Sequence, residues 1–385
     1  MKEMLIVPGK QVNVERKICS TFTVKSYYKA EVSVDNTGKY DVVVSGDPHM
    51  VNTARRSPLY KPAVAEVTSK MMQSYKNTIS SYTELCKQCV LPQSEQLYKD
   101  KLVNLSLKTY QKKLFQLNEP TKEAAEVALK EEAFKRFYSL FGSKKDQIDA
   151  FIENNVNSLF IQKMKDWAEL KDYFEMVESI IEKRENALFL QQYTREKSDL
   201  ETFVNGPVEF IDKGLKEVCR TISIPVSLSL EYGYEVKSGI ISLNVELPSV
   251  HSFNIPTNNA SLYATGKLSV KSKNKVELAQ DLTQFYVCIA FYLSSSIFQL
   301  SVNIKKIRMT LWNSGNISGE YWVEFDRERF SQLRYKSMDP LSEFIHFPHI
   351  MRISKNNTIE EIMNEELNSQ IDQLLSSGGD VSVQG

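Results

Sequence analysis

The chain has 385 residues, enough for two or three domains and for a substantial core that needs no disulfide bonds. Its 48 Lys and Arg residues balance its 48 Asp and Glu residues, so no global charge attracts nucleic acid or an anionic membrane. A hydrophobic fraction of 42% and a charged fraction of 25% are those of a folded protein and exclude wholesale disorder.

The five cysteines are too few, and odd in number, for a disulfide framework, which favours a reducing compartment. Residues 1–14 lack the apolar core of a signal peptide, so we expect a cytoplasmic protein. The longest apolar run, residues 285–293, is far shorter than the roughly 20 residues of a membrane-spanning helix. It therefore predicts a buried core helix and no contact with a membrane.

The N-terminal region, residues 4–45, alternates weakly between apolar and polar residues and contains a turn signal at residues 35–38. This pattern predicts a small β element with at least one hairpin. Residues 47–62 contain three prolines and few apolar side chains, which predicts a linker.

A helical pattern then extends from residue 63 to residue 220, where proline and glycine are scarce and mostly occur at the expected helix ends. The predicted helices are 63–90, 94–118, 120–141, 144–204 and 208–220. The fourth exceeds 25 residues without an internal cap, which indicates a long bundle helix or a coiled coil. Its apolar residues, taken together, do not follow strict heptads, and this favours a bundle.

The C-terminal region begins with the clearest strands, because residues 226–236 and 241–247 alternate without a break and predict a hairpin. A short strand near 268–270, the apolar helix 277–300 and a second hairpin at 307–311 and 321–325 follow. The sequence therefore predicts an α+β protein with a small N-terminal β element, a long central helical bundle and a C-terminal antiparallel sheet with one buried helix. The predicted domains are residues 1–52, 63–220, 223–350 and 351–385.

The last predicted helix, residues 358–375, starts at a capping-box pattern and carries one apolar stripe. The stripe consists of Ile359, Met363, Leu367, Ile371 and Leu374. Two interpretations stay open: the helix docks on its own core, or it binds a partner or a second copy of the chain.

A basic cluster in the predicted helix 94–118 consists of Lys101, Lys108, Lys112 and Lys113, with tyrosines among them. The first three would share one helical face, and lysines can neutralise phosphates, so nucleic acid is a candidate partner. The alternative is an ordinary solvated face. Residues 51–141 are basic and residues 142–217 are acidic, so these charges would then pair within the protein.

Motifs for chemistry are missing from the sequence. It has no phosphate-binding loop, no dinucleotide fingerprint, no hydrolase elbow and no zinc-protease helix. The Cys86–Cys89 pair lacks a second ligand pair at zinc-finger spacing, and His346 with His349 is too closely spaced to supply it. Asp47 and His49 have no nucleophile nearby. We therefore predict no cofactor and no metal site, and we assign no catalytic residues.

The function that these features favour is an intracellular protein-interaction or scaffold protein that self-associates through its helical regions. Two alternatives remain. One is a nucleic-acid-associated protein that uses the basic helical face, and the other is an enzyme without a recognisable motif.

Overall fold

The computed structural model describes residues 4–25, 28–137, 145–249, 252–313 and 318–376. The chain forms two compact units. We call Met1–Asp100 with Glu201–Gly385 the sheet unit, and Lys101–Leu200 the helical unit.

The α-helices of the described residues are α1 (Val51–Arg56), α2 (Tyr60–Thr83), α3 (Glu95–Val103), α4 (Lys122–Arg136), α5 (Lys145–Asn205), α6 (Val208–Thr221), α7 (Lys275–Phe298), α8 (Arg327–Phe330), α9 (Pro340–Phe344) and α10 (Asn364–Ser376). The strands are β1 (Met4–Val7), β2 (Lys17–Lys25), β3 (Tyr28–Asp35), β4 (Tyr40–Val44), β5 (Leu228–Glu235), β6 (Ile240–Glu246), β7 (Asn258–Leu262), β8 (Leu268–Ser272), β9 (Lys306–Trp312), β10 (Ser318–Asp326), β11 (His349–Ile353), β12 (Ile359–Glu360) and β13 (Ile362–Met363). The predicted α+β class is confirmed, with its small N-terminal sheet, long central helix and C-terminal strands.

The N-terminal sheet has the strand order β2-β3-β4, and all its pairs are antiparallel. The predicted turn at residues 35–38 joins β3 to β4, where the Asp35 carboxylate accepts hydrogen bonds from the backbone N–H groups of Thr37 and Lys39. Apolar residues of β3 and β4 form one core with α2, in which Val32 and Met71 are fully buried. Strand β1 does not join this sheet, because it pairs with β5.

The large sheet has the order β1-β5-β6-β9-β10-β11-β12, and β13 also pairs with β10. The prediction of an antiparallel sheet holds for every neighbouring pair except β6 and β9, which are parallel. Helix α7 lies between these two strands in the chain and acts as the crossover that a parallel pair requires.

Helix α7 is the predicted apolar core helix, and its Phe285, Phe291 and Phe298 are fully buried. Its N-terminus is a capping box, in which Asn274 and Glu277 exchange hydrogen bonds between side chain and backbone. No helix among the described residues combines the length and the hydropathy that crossing a bilayer requires.

The predicted linker at 47–62 is wrong, because this stretch is mostly helical. It contains a 3-10 turn at Pro48–Met50, helix α1 and the start of α2. Pro48 and Pro62 lie in the first turns of their helices, where the missing N–H would have no helical partner in any case. Proline therefore marks helix starts here instead of a linker.

The last predicted helix starts six residues later than expected. Residues 359–360 pair with β11 and residues 362–363 pair with β10, so the apparent capping box lies before two short strands and α10 begins at Asn364. Sheet pairing has overridden a local helix signal. The predicted turn after β9 lies outside the described residues beyond Asn313.

The β5–β6 turn depends on Gly239, whose φ is +66°. A Cβ at this position would lie 2.1 Å from the backbone oxygen of Asn303. We therefore expect Gly239→Ala to lower the free energy of unfolding by about 2 kcal/mol or more, measured by urea titration. Gly233→Ala is the matched control, because Gly233 lies in β5 and a Cβ there would meet nothing within 4 Å. Equal losses for the two variants would contradict the steric argument.

Candidate interaction surface

Helix α5 has 61 residues and is therefore about 90 Å long. Within the helical unit, residues 104–121, which we call the cover segment, lie along one side of it. The Trp167 indole N–H donates to the Leu117 backbone oxygen at 3.0 Å. The Phe115 ring packs against the rings of Trp167 and Phe174, with centroids 5.9 and 5.5 Å away.

The cover segment has no regular secondary structure, so the predicted helix 94–118 is wrong beyond Val103, where α3 ends. Polar side chains of α5 explain the difference. The Glu178 carboxylate, only 5% exposed, accepts the backbone N–H of Lys113 at 3.0 Å, and the Asn186 amide oxygen accepts that of Tyr110 at 2.8 Å. These bonds satisfy donors that an α-helix would otherwise satisfy.

The predicted basic face is not formed. Lys101 lies in α3, whereas Lys108, Lys112 and Lys113 lie in the cover segment, so they share no helical face. Lys112 instead forms an ion pair with Glu182 of α5 at 2.9 Å. This contact is the pairing of basic and acidic regions that the alternative interpretation expected. Nucleic-acid binding by these lysines stays a prediction.

The side of α5 away from the cover segment carries a regular row of exposed residues, which we call the α5 stripe. Its members are separated alternately by three and four residues, and every one of them is exposed. They are Asp166, Glu169, Tyr173, Met176, Ile180, Lys183, Ala187, Leu190, Thr194 and Lys197.

The middle of the α5 stripe is apolar apart from Lys183. Tyr173 is 63% exposed, Met176 53%, Ile180 60% and Leu190 53%, and Ala187 lies among them. Three-and-four spacing is that of the a and d positions of a coiled coil. The sequence pattern hid this row because α5 has a second apolar face under the cover segment, and the two sets merge when all apolar residues are taken together. Sorting the residues by helical phase would have separated them.

The predicted partner stripe near the C-terminus is mostly occupied within the chain. Leu367 and Leu374 are 0% and 5% exposed and form a cluster with Ile371 and the indoles of Trp312 and Trp322. Helix α10 thus covers part of the outer face of the large sheet.

The other two residues of that predicted stripe lie in the short strands before α10. Ile359 packs against the main core, and Met363 is 59% exposed. A partner could bind the full predicted stripe only if α10 left the sheet. The partner role of these residues stays a prediction.

A cleft of about 470 Å³ lies beside α10 on the outer face of the large sheet, within the size range of small-molecule sites. Its lining mixes apolar side chains with polar ones that include Glu231, Asn244 and Arg308, and the Arg308 Nε–H donates to the Glu324 carboxylate at 2.7 Å. None of the described lining residues is a cysteine or a histidine. The lining therefore offers neither a thiol nor an imidazole for covalent or general-base chemistry.

The cysteine pair lies at the main core. Cys86 is buried, Cys89 is half-buried, and burial raises the pKa of the Cys89 thiol well above its ordinary value. The hydrogen bond between Cys86 and Cys288, together with burial, raises the pKa of Cys288. The same hydrogen bond lowers the pKa of Cys86, so the two thiols of the pair are shifted in opposite directions. In the part of the chain that the structure describes, no three His, Cys, Asp or Glu side chains converge as a metal site would require.

The histidine motifs have local structural roles. The Asp47 carboxylate accepts the backbone N–H of His49 at 2.9 Å and caps the 3-10 turn. The Nδ1 atom of His349 lies 2.8 Å from the Phe347 backbone oxygen. Neither histidine is placed beside a nucleophile by these contacts.

Comparison of the chain with models of protein families, with curated proteins and with solved structures found no match. A functional proposal for this chain therefore has to be drawn from its own residues.

Proposed function

We propose that this chain is a protein-interaction or scaffold protein that self-associates through the α5 stripe. The observation that supports the proposal is the stripe itself: ten exposed positions with heptad spacing, apolar in the middle, on a helix whose other side is already covered. A helix side that stays in water is normally polar. An exposed apolar row, here interrupted by Lys183, instead indicates an interface.

The size of the apolar contact favours association. Full burial of one large apolar side chain contributes about 1.5–3 kcal/mol. Tyr173, Met176, Ile180 and Leu190 are each a little more than half exposed, so eight such side chains from two copies would contribute roughly 6–12 kcal/mol. This is comparable to the roughly 4–15 kcal/mol that association costs in lost translational and rotational freedom.

Light scattering on a size-exclusion column tests the proposal. We expect the wild-type chain to elute as a dimer at micromolar concentration and the double variant Met176→Glu with Leu190→Glu to elute as a monomer, because the new carboxylates would be buried in the interface. Glutamate is a good helix former, so the helix itself should persist, as circular dichroism would show.

The matched control is Ile161→Glu. Ile161 is 66% exposed on the same helix and lies off the α5 stripe, so this variant should remain a dimer. A monomeric wild-type chain, or a double variant that dimerises like the control, would contradict the proposal.

A further inference from the structure

We infer that two copies of the α5 stripe pack antiparallel, in the register that places Tyr173 of one copy opposite Leu190 of the other. The inference rests on the proposed self-association and adds the direction and alignment of the partner helix. It follows from where the charged members of the stripe lie relative to its apolar middle.

A parallel, in-register pair would bring like charges together. Asp166 would face Asp166 of the second copy, Lys183 would face Lys183, and Lys197 would face Lys197. Like charges held opposite each other between helices oppose association, whereas opposite charges at the same places favour it. The parallel arrangement therefore conflicts with the charge order of the stripe.

The antiparallel arrangement separates the two copies of Asp166 and the two copies of Lys197, and it leaves only the two Lys183 side chains near each other, about 4.5 Å apart along the axis. The three-and-four spacing reads the same in both directions about the midpoint between residues 181 and 182, so a reversed second copy meets the first position by position. The opposed pairs are Asp166 with Lys197, Glu169 with Thr194, Tyr173 with Leu190, Met176 with Ala187, and Ile180 with Lys183. Both ends of the contact then carry an acidic residue opposite a basic one, and all five apolar members are covered.

Registers shifted by one heptad are less favourable. A shift in one direction places the Asp166 carboxylate opposite Leu190, and a shift in the other places the Lys197 ammonium opposite Tyr173. Each leaves a charge against an apolar side chain in place of an opposite charge. In the proposed register Lys183 lies near the two-fold axis, where its aliphatic stem can cover Ile180 while its ammonium reaches water. A single polar residue in such a row is a known determinant of register.

Disulfide trapping tests the alignment. The background is Cys19→Ser, which removes the exposed thiol, and the other cysteines are buried or half-buried. Met176→Cys and Ala187→Cys are made in separate chains, one of which carries an affinity tag. In the antiparallel register two copies of residue 176 lie about 16 Å apart along the axis, too far for a disulfide. We therefore expect a cross-linked dimer only when the two variants are mixed, and it should contain one tagged and one untagged chain.

The outcomes separate the two proposals. Cross-linking of each variant with itself would show a parallel pair and would overturn the antiparallel inference while leaving self-association intact. A dimer by light scattering with no cross-link in the mixture would overturn the register in the same way. A monomer would overturn both proposals. Ile161→Cys mixed with Ala187→Cys is the control, and it should give no mixed dimer because Ile161 is off the stripe.

Discussion

Replacing Arg327 by methionine is expected to lower the free energy of unfolding by about 3–5 kcal/mol, the largest loss that we predict for a single side chain. Arg327 is 8% exposed at the start of α8. Its Nε–H donates to the Ile304 backbone oxygen at 2.7 Å, and its Nη1–H donates to that of Gln93 at 3.1 Å. Its Nη2 donates to the oxygens of Phe298, at 2.5 Å, and of Ser301.

These four acceptors belong to the chain segment before α3, the end of α7 and the loop before β9. One guanidinium thus joins three segments of the sheet unit, and its charge also complements the C-terminal end of the α7 dipole. Burial lowers the pKa of Arg327 to about 10, so the group remains charged at neutral pH. Methionine matches its length and leaves the four carbonyls without these donors, and each unsatisfied buried acceptor costs about 1–3 kcal/mol.

Urea unfolding followed by tryptophan fluorescence would measure the loss. Arg334→Met is the matched control, because Arg334 is exposed and close in sequence, and its effect should stay within about 0.5 kcal/mol. Arg327→Lys should fall between the two variants, since lysine keeps a charge but loses the planar fork of donors. A loss below about 1 kcal/mol for the methionine variant would show that water or rearrangement satisfies the carbonyls.

Glu320 is expected to make the protein less stable as the pH rises from about 5 to 8. This residue is 4% exposed and lies at an irregularity in the β9–β10 pairing. Burial and the nearby carboxylate of Glu361 raise the pKa of Glu320 to about 8. Glu361 itself accepts hydrogen bonds from Asn313 and Ser318, which hold its carboxylate in place.

The direction of the effect follows from proton uptake on folding. Between the ordinary glutamate pKa of about 4.3 and the raised value, the unfolded chain is ionised at Glu320 while the folded chain keeps its proton. The stabilising contribution of the protonated form is therefore complete below the unfolded pKa and is lost as the pH rises through the folded pKa. The loss from this group between pH 5 and pH 8 is on the order of 3 kcal/mol.

Glu320→Gln should remove most of this dependence, because the amide resembles the protonated acid and takes up no proton. We expect the variant to gain stability over the wild type at pH 8 and to differ little from it at pH 5, in urea titrations at both values. Glu328→Gln, which removes an exposed carboxylate on α8, should leave the pH dependence unchanged. A parallel pH dependence in wild type and Glu320→Gln would refute the assignment.

Local patterns were enough to predict the elements whose backbone hydrogen bonds are made within a helix or a hairpin and whose apolar residues bury one side. The alternation in β5 and β6, and in β9 and β10, predicted both hairpins, and the apolar run of α7 predicted the core helix. The uninterrupted helical spacing of α5 predicted its length closely. In each case the hydrophobic period and the turn or cap residues agree, so local preference and tertiary structure favour the same conformation.

Patterns failed where a distant partner supplies the hydrogen bonds. The cover segment resembles a helix in composition, but side chains of α5 accept hydrogen bonds from its backbone N–H groups. Strand β1 lies more than 200 residues from its partner β5 in the chain. Helix α7 lies between β6 and its parallel partner β9 in the chain. The residues before α10 carry a capping signal but pair with β10 and β11.

The sequence by itself determined the α+β class and the long helix, because these depend on the order of side chains along each element. Only the tertiary structure decided which side of α5 is covered and which stays exposed. That decision depends on contacts between residues far apart in the chain, such as Trp167 with Leu117, and a periodic pattern carries no information about which of two apolar faces will find a partner.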